Sequence, residues 1–170
     1  MNKREIEKYL QMVGEELHGQ GLTVKILLLG GAVMLLEVGN RNSTNDIDAY
    51  FASDYAAINK AIAIVAERER LSREWLNDDV TIVVHQVKPP ESQKLWKAFP
   101  GLEVYIPSLD YILALKLHAG RARDDGDIKA LAKRLNISKR REALNILKQY
   151  IPEDHIKNET LQAVERCFRA

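Results

Sequence analysis

Residues 27–51, LLLGGAVMLLEVGNRNSTNDIDAYF, set a diglycine at the end of an apolar run and, after a fourteen-residue spacer, two aspartates separated by one apolar residue. Thr23–Leu29 (TVKILLL) reads as a buried strand and Ala32–Val38 as a short helix. Gly30 and Gly31 then occupy a strand-to-helix turn, where backbone N–H groups and the helix dipole favour a phosphate. Asp46–Phe51 reads as a second strand. Side chains alternate along a strand, so Asp46 and Asp48 share a face. Two such carboxylates repel unless a cation lies between them. Hard oxygen ligands on a rigid strand suit Mg²⁺, which takes one or two protein carboxylates and fills its shell with water and substrate phosphates.

Working outward, Lys3–Leu17 carries a helical stripe of Ile6, Tyr9, Leu10, Val13 and Leu17. Asp54–Arg70 predicts a helix with Tyr55, Ile58, Ala61, Ile62 and Val65 inward. The β-branched run Val80–Val87 predicts a strand. Lys88–Lys97, with Pro89-Pro90, predicts a loop or irregular helix, and Leu102–Ile106 a short strand. From Ser108 on, the pattern predicts helices over 108–119, 124–135, 138–150 and about 158–169. This order predicts an α+β fold: a small mixed sheet with packed helices over residues 1–107, then a helical bundle over 108–170.

Composition narrows the function classes. The chain has 170 residues and a formal net charge of +1, so it is not a polycation and any nucleic-acid contact is local. One cysteine, Cys167, excludes an internal disulfide and a cysteine metal cluster, and the expected location is a reducing cytoplasm. The first residues, MNKREIEKYL, are unlike a signal peptide. The longest apolar run, Ile26–Leu36, is eleven residues, against the ~20 a membrane span needs. No membrane partner is expected.

A second stretch, residues 107–131, reads PSLDYILALKLHAGRARDDGDIKAL. Ser108 is placed to cap a helix and Gly120 to end it. Lys116 lies among leucines, so it either snorkels to solvent or points into a cleft. Arg121 and Arg123 fall in the next loop, either as a phosphate clamp or as solvated cations near acidic neighbours. Asp124 is placed to cap the following helix. Asp127 either orients these cations or favours the helix N-terminus. The stretch Ala130–Arg141 (ALAKRLNISKRR) resembles the first half of a helix-turn-helix, with seven basic residues against one acid in Lys129–Lys148. The helix that follows it has apolar residues where a reading face would be polar. His85 and His118 are read as structural.

The order Leu29, Gly30-Gly31, spacer, Asp46-Ile47-Asp48 resembles the signature of nucleotidyltransferases of the DNA polymerase β-type fold. The spacer is one residue longer than that family's usual pattern, and the extra residue is expected in the loop Asn42–Asn45. Lys116, Arg121, Arg123, Asp124 and Asp127 resemble the Lys…Arg-x-Arg-Asp-x-x-Asp segment of AbiEii-like nucleotidyltransferases, the toxin half of some toxin–antitoxin and phage-defence systems. The resemblance implies a nucleotidyltransferase using Mg²⁺ (or Mn²⁺). It implies Asp46 and Asp48 as metal ligands with Glu103 as candidate third acid. Asp46, Asp48, Lys116 and Asp127 would be catalytic, and Gly30, Gly31, Arg41, Ser43, Thr44, Arg121 and Arg123 would contact the nucleotide. It further implies a nucleoside triphosphate donor, a tRNA or protein acceptor, and an antitoxin partner. Two other readings stay open: an inactive nucleotide-binding or interaction module of this fold, and a DNA-binding regulator built on the C-terminal helices.

Overall fold

A computed structural model describes residues 1–169. The fold is α+β, with the chain divided into two compact units. Met1–Thr81 and Gln93–Ile106 form the first, and Ile82–Ser92 with Pro107 onward forms the second.

The first unit begins with helix α1 (Lys3–His18). Asn2 and Glu5 close its N-terminus as a capping box, each side chain accepting from the other's backbone N–H at 3.1 and 2.8 Å. Strand β1 (Val24–Leu28), the single helical turn α2 (Gly30–Val33) and a π-helical turn (Met34–Val38) follow. Strand β2 (Ile47–Phe51), helix α3 (Tyr55–Glu69), the short β3 (Leu76–Asn77), β4 (Gln93–Phe99) and β5 (Leu102–Pro107) complete the sheet. The strand order is β3-β2-β1-β5-β4. β1 runs antiparallel to β2 and parallel to β5.

One sheet face is wholly apolar. Val24, Ile26, Leu28, Ile47, Ala49, Phe51, Leu102, Val104 and Ile106 alternate onto it and are buried. Helix α1 lies so close to the β4–β5 turn that a Cβ on Gly14 would come within 2.5 Å of Pro100 O. Helices α1 and α3 pack together, with Tyr9 edge-on to Trp75 at 5.7 Å between ring centroids. The other face carries Lys25, Leu27, Asp48, Tyr50, Glu103 and Tyr105.

The second unit holds helix α4 (Thr81–Gln86, its first residue still in the first unit), α5 (Leu109–Ala119), α6 (Asp125–Arg134), α7 (Arg140–Tyr150) and α8 (Asn158–Cys167). α5 is buried on most sides and packs against α6, α7 and α8. Among the described residues, no helix is long and apolar enough to cross a membrane.

Two expectations are corrected. The run Val80–Val87 is not a strand: Thr81–Gln86 is helical. β-propensity reflects fit to a half-buried pleated surface, and here no neighbouring strand offers one. No residue of α4 is buried, and Ile82 is 70% exposed. Acidic Asp78 and Asp79 precede the helix, where its dipole favours them, and Asp78 O accepts from Thr81 N–H at 2.9 Å. Conversely, Lys88–Lys97 is not merely loop, because β4 begins at Gln93. Its polar residues belong to an edge strand, where lysines discourage pairing with other chains.

Candidate functional site

The end of β1 brings the diglycine against the second aspartate. Leu29 N–H donates to Asp48 O at 2.8 Å, extending the β1–β2 pairing by one residue. Gly30 then takes φ +57, a left-handed conformation that glycine adopts without strain. A Cβ there would sit 2.1 Å from Asp48 Oδ2, so the carboxylate fills the space a side chain would need. The two halves of the first motif are thus one packed junction.

Asp48 is half-buried on β2, and Asp46 is exposed one residue before it. The strand starts at Ile47, not at Asp46, with Ile47 N–H donating to Trp75 O at 2.8 Å. Thr44 is buried and faces inward: its N–H donates to Met1 O at 2.9 Å and its hydroxyl to Asp46 O at 3.0 Å. These two bonds make it an anchor for the approach to Asp46. A Cβ on Gly31 would lie 2.7 Å from Thr44 Oγ1 and 3.4 Å from an Arg41 guanidinium nitrogen. The structure therefore gathers Gly30, Gly31, Arg41, Thr44 and Asp48, with Asp46 and the exposed Ser43 flanking them.

Glu103 is not part of this group. Strand register sets Asp48 level with Leu29 and Glu103 level with Lys25. Four residues along the strand and two strand spacings across separate them by about 16 Å, too far to share an ion. Glu103 instead accepts from the Tyr105 hydroxyl at 2.9 Å and meets Lys25 Nζ at 3.7 Å. Among the described residues, no three His, Cys, Asp or Glu side chains converge as a metal site. Two carboxylates remain, a set that fits Mg²⁺ when phosphates and water complete its shell.

In the second motif, in the second unit, Lys116 does not snorkel to solvent. Lys116 is buried, with its ammonium 2.8 Å from Asp127 Oδ2 and 3.1 Å from Asp124 Oδ1. Asp124, expected as a side-chain cap, makes no such bond and serves this pair instead. Arg121 and Arg123 are exposed and unpaired within the described residues. Arg166 on α8, for which the sequence offers no signal, forms a two-pronged pair with Asp125 at 2.9 and 3.0 Å and donates to Gly120 O at 3.2 Å. The hydrogen bond from Arg166 holds the Asp125 carboxyl below its ordinary range. His118 is held below the usual imidazole range, chiefly by burial.

Neither a curated protein nor a solved structure matches this chain. A family model does, over residues 8–159, a span that takes in both motifs. Its description is nucleotidyltransferase of unknown function (DUF6036), and the chain belongs to that family.

Proposed function

We propose that the protein is a metal-dependent nucleotidyltransferase of the DNA polymerase β-type fold, with Asp46 and Asp48 as its metal ligands. The observation that carries this reading is the junction in which Gly30, at φ +57, leaves only enough room for the Asp48 carboxylate. That cradle fixes one hard oxygen donor beside a turn whose own two residues carry no side chains. Bound Mg²⁺ or Mn²⁺ would supply charge neutralisation on the phosphates. The protein's own contribution is positioning. Asp46 and Asp48 present their oxygens from one end of β2, and Gly30, Gly31, Ser43 and Arg41 border the phosphate approach. An acceptor hydroxyl would bond to the α-phosphorus as the α–β phosphoanhydride breaks, releasing pyrophosphate, with the hydroxyl proton passing to solvent.

The Lys116–Asp127 segment supports the AbiEii-like branch. That branch carries with it a nucleoside triphosphate donor, a tRNA end or protein side chain as acceptor, and an antitoxin partner. Lys116 and Asp127, buried as a pair, act here by holding structure, while Arg121 and Arg123 are assigned to phosphate contacts.

Mn²⁺ titration with nucleotide present, into wild type and Asp48→Asn, tests the metal assignment. The variant should bind at least about tenfold more weakly, ~1.4 kcal/mol. Equal affinity would overturn it. Incubation with each labelled nucleoside triphosphate, Mg²⁺ and total RNA then reads out donor and acceptor.

A further inference from the structure

The segment Arg121–Asp127 reads RARDDGD: two arginines followed by three aspartates within four residues. In an unfolded chain those carboxylates would be the arginines' nearest counter-charges. The fold removes all three. Asp124 and Asp127 turn inward onto Lys116, at 3.1 and 2.8 Å. Asp125 turns aside onto Arg166 of α8, at 2.9 and 3.0 Å. Arg121 and Arg123 are left exposed with no partner among the described residues.

The same contacts fix the backbone that carries them. Gly120 closes α5 at φ +66, and its carbonyl accepts from Arg166. A Cβ on Gly120 would come within 2.7 Å of Glu159, so α8 is pressed onto this turn. Residues 120, 124, 125 and 127 are each held, and the two arginines lie between them. A guanidinium fork on an immobilised loop loses less entropy when it meets a phosphate, and it engages phosphate oxygens two at a time. Lys116 and Arg166 contribute two positive charges against three negative ones. Arg121 and Arg123 add two positive charges that are exposed to solvent.

We infer that Arg166 is a positioning residue that frees the Arg121/Arg123 pair for a phosphate chain by withdrawing Asp125 from it. This deepens the assignment of Arg121 and Arg123 to phosphate contacts and rests on it. The phosphates come from a triphosphate or from an RNA backbone, and two probes distinguish these: inorganic tripolyphosphate and a short uridine oligomer.

Binding of each probe is measured for wild type, Arg121→Ala/Arg123→Ala, Arg166→Ala and Arg166→Ala/Asp125→Asn. Arg166→Gln, which keeps a donor for Gly120 O, serves if Arg166→Ala does not fold. Wild type should bind at least one probe, and the double arginine variant should lose it. Arg166→Ala should weaken it roughly 3- to 10-fold, the range of a charge-assisted contact at a surface. Adding Asp125→Asn should restore most of the loss, because no carboxylate then competes for the arginines. Urea midpoints of the same variants separate the roles: a purely structural Arg166 would lose and regain binding only in step with stability, whereas the inference expects Arg166→Ala to weaken binding under conditions where it stays folded. Arg166→Ala binding like wild type, or no recovery with Asp125→Asn, overturns the inference and leaves the arginine assignment standing. If the double arginine variant binds both probes unchanged, the assignment and the inference fall together.

Discussion

Replacing Gly30 with alanine tests the junction on which the proposed metal site rests. Two costs follow from the geometry. Holding a non-glycine residue at φ +57 costs about 1–2 kcal/mol. The new Cβ would also begin 2.1 Å from Asp48 Oδ2. Relieving that overlap moves the carboxylate by about 1 Å, or off its rotamer, for ~0.5–1.5 kcal/mol. Together these amount to about 2–3 kcal/mol, or a fall in melting temperature of roughly 5–10 °C for a chain of this size. A displacement of that size at a reacting centre costs on the order of 100-fold in rate, and Mn²⁺ affinity should fall with it. Gly39→Ala is the control. It sits at φ +73 with nothing within 4 Å, so it carries the backbone strain without touching an aspartate. The assay is thermal melting with Mn²⁺ titration on all three proteins. If Gly30→Ala binds Mn²⁺ like Gly39→Ala, the contact with Asp48 does not set the metal site.

Two further outcomes are expected. Lys116→Ala takes the ammonium away from the buried carboxylates of Asp124 and Asp127, so it should destabilise the protein by about 3–5 kcal/mol, and adding Asp127→Asn should recover part of this; urea denaturation checks it, and a loss under about 1 kcal/mol would mean water replaces the ammonium. Tyr111 and Tyr150, edge-to-face at 5.2 Å, have hydroxyls pushed up to about 12, chiefly by burial, with the Tyr150–Asp110 bond at 2.8 Å adding to the second. Their folded values lie above the unfolded one, so the stability they confer is present below about pH 10 and lost as pH rises toward 12. Denaturation midpoints should fall across that window, less steeply in Tyr150→Phe, and a flat profile would refute the account.

The sequence made the periodic elements legible. α1, α3 and the later helices announce themselves through stripes such as Ile6–Leu10–Val13–Leu17, because burial imposes that spacing. The diglycine and Asp-x-Asp were visible as separate motifs. That one fills the space beside the other was not, since it depends on the φ of a single residue. The strand expected at Val80–Val87 failed because β-branched residues prefer a sheet only where a sheet has room for them. β4 was hidden for the opposite reason: an edge strand is polar on purpose. The bonds by which Thr44 ties Met1 and Asp46 together were not legible either, because they depend on which way its N–H and hydroxyl point. Arg166 was beyond sequence reading, because a salt bridge spanning 41 positions leaves no local pattern.

The π-helical turn at Met34–Val38 bears on how such a chain tolerates a change of length. An extra residue in an α-helix rotates everything after it by about 100°. A turn closed five residues apart, as by Gly39 N–H onto Met34 O at 2.8 Å, takes up one residue and lets the helix axis continue. The spacer between the glycines and the aspartates is fourteen residues long, and this wide turn is a place within it to absorb an added residue. The phase between Gly30 and Asp48 is thereby insulated from the intervening count. Lengthening or shortening the segment by one residue should then interconvert wide and ordinary turns while the carboxylate keeps its seat.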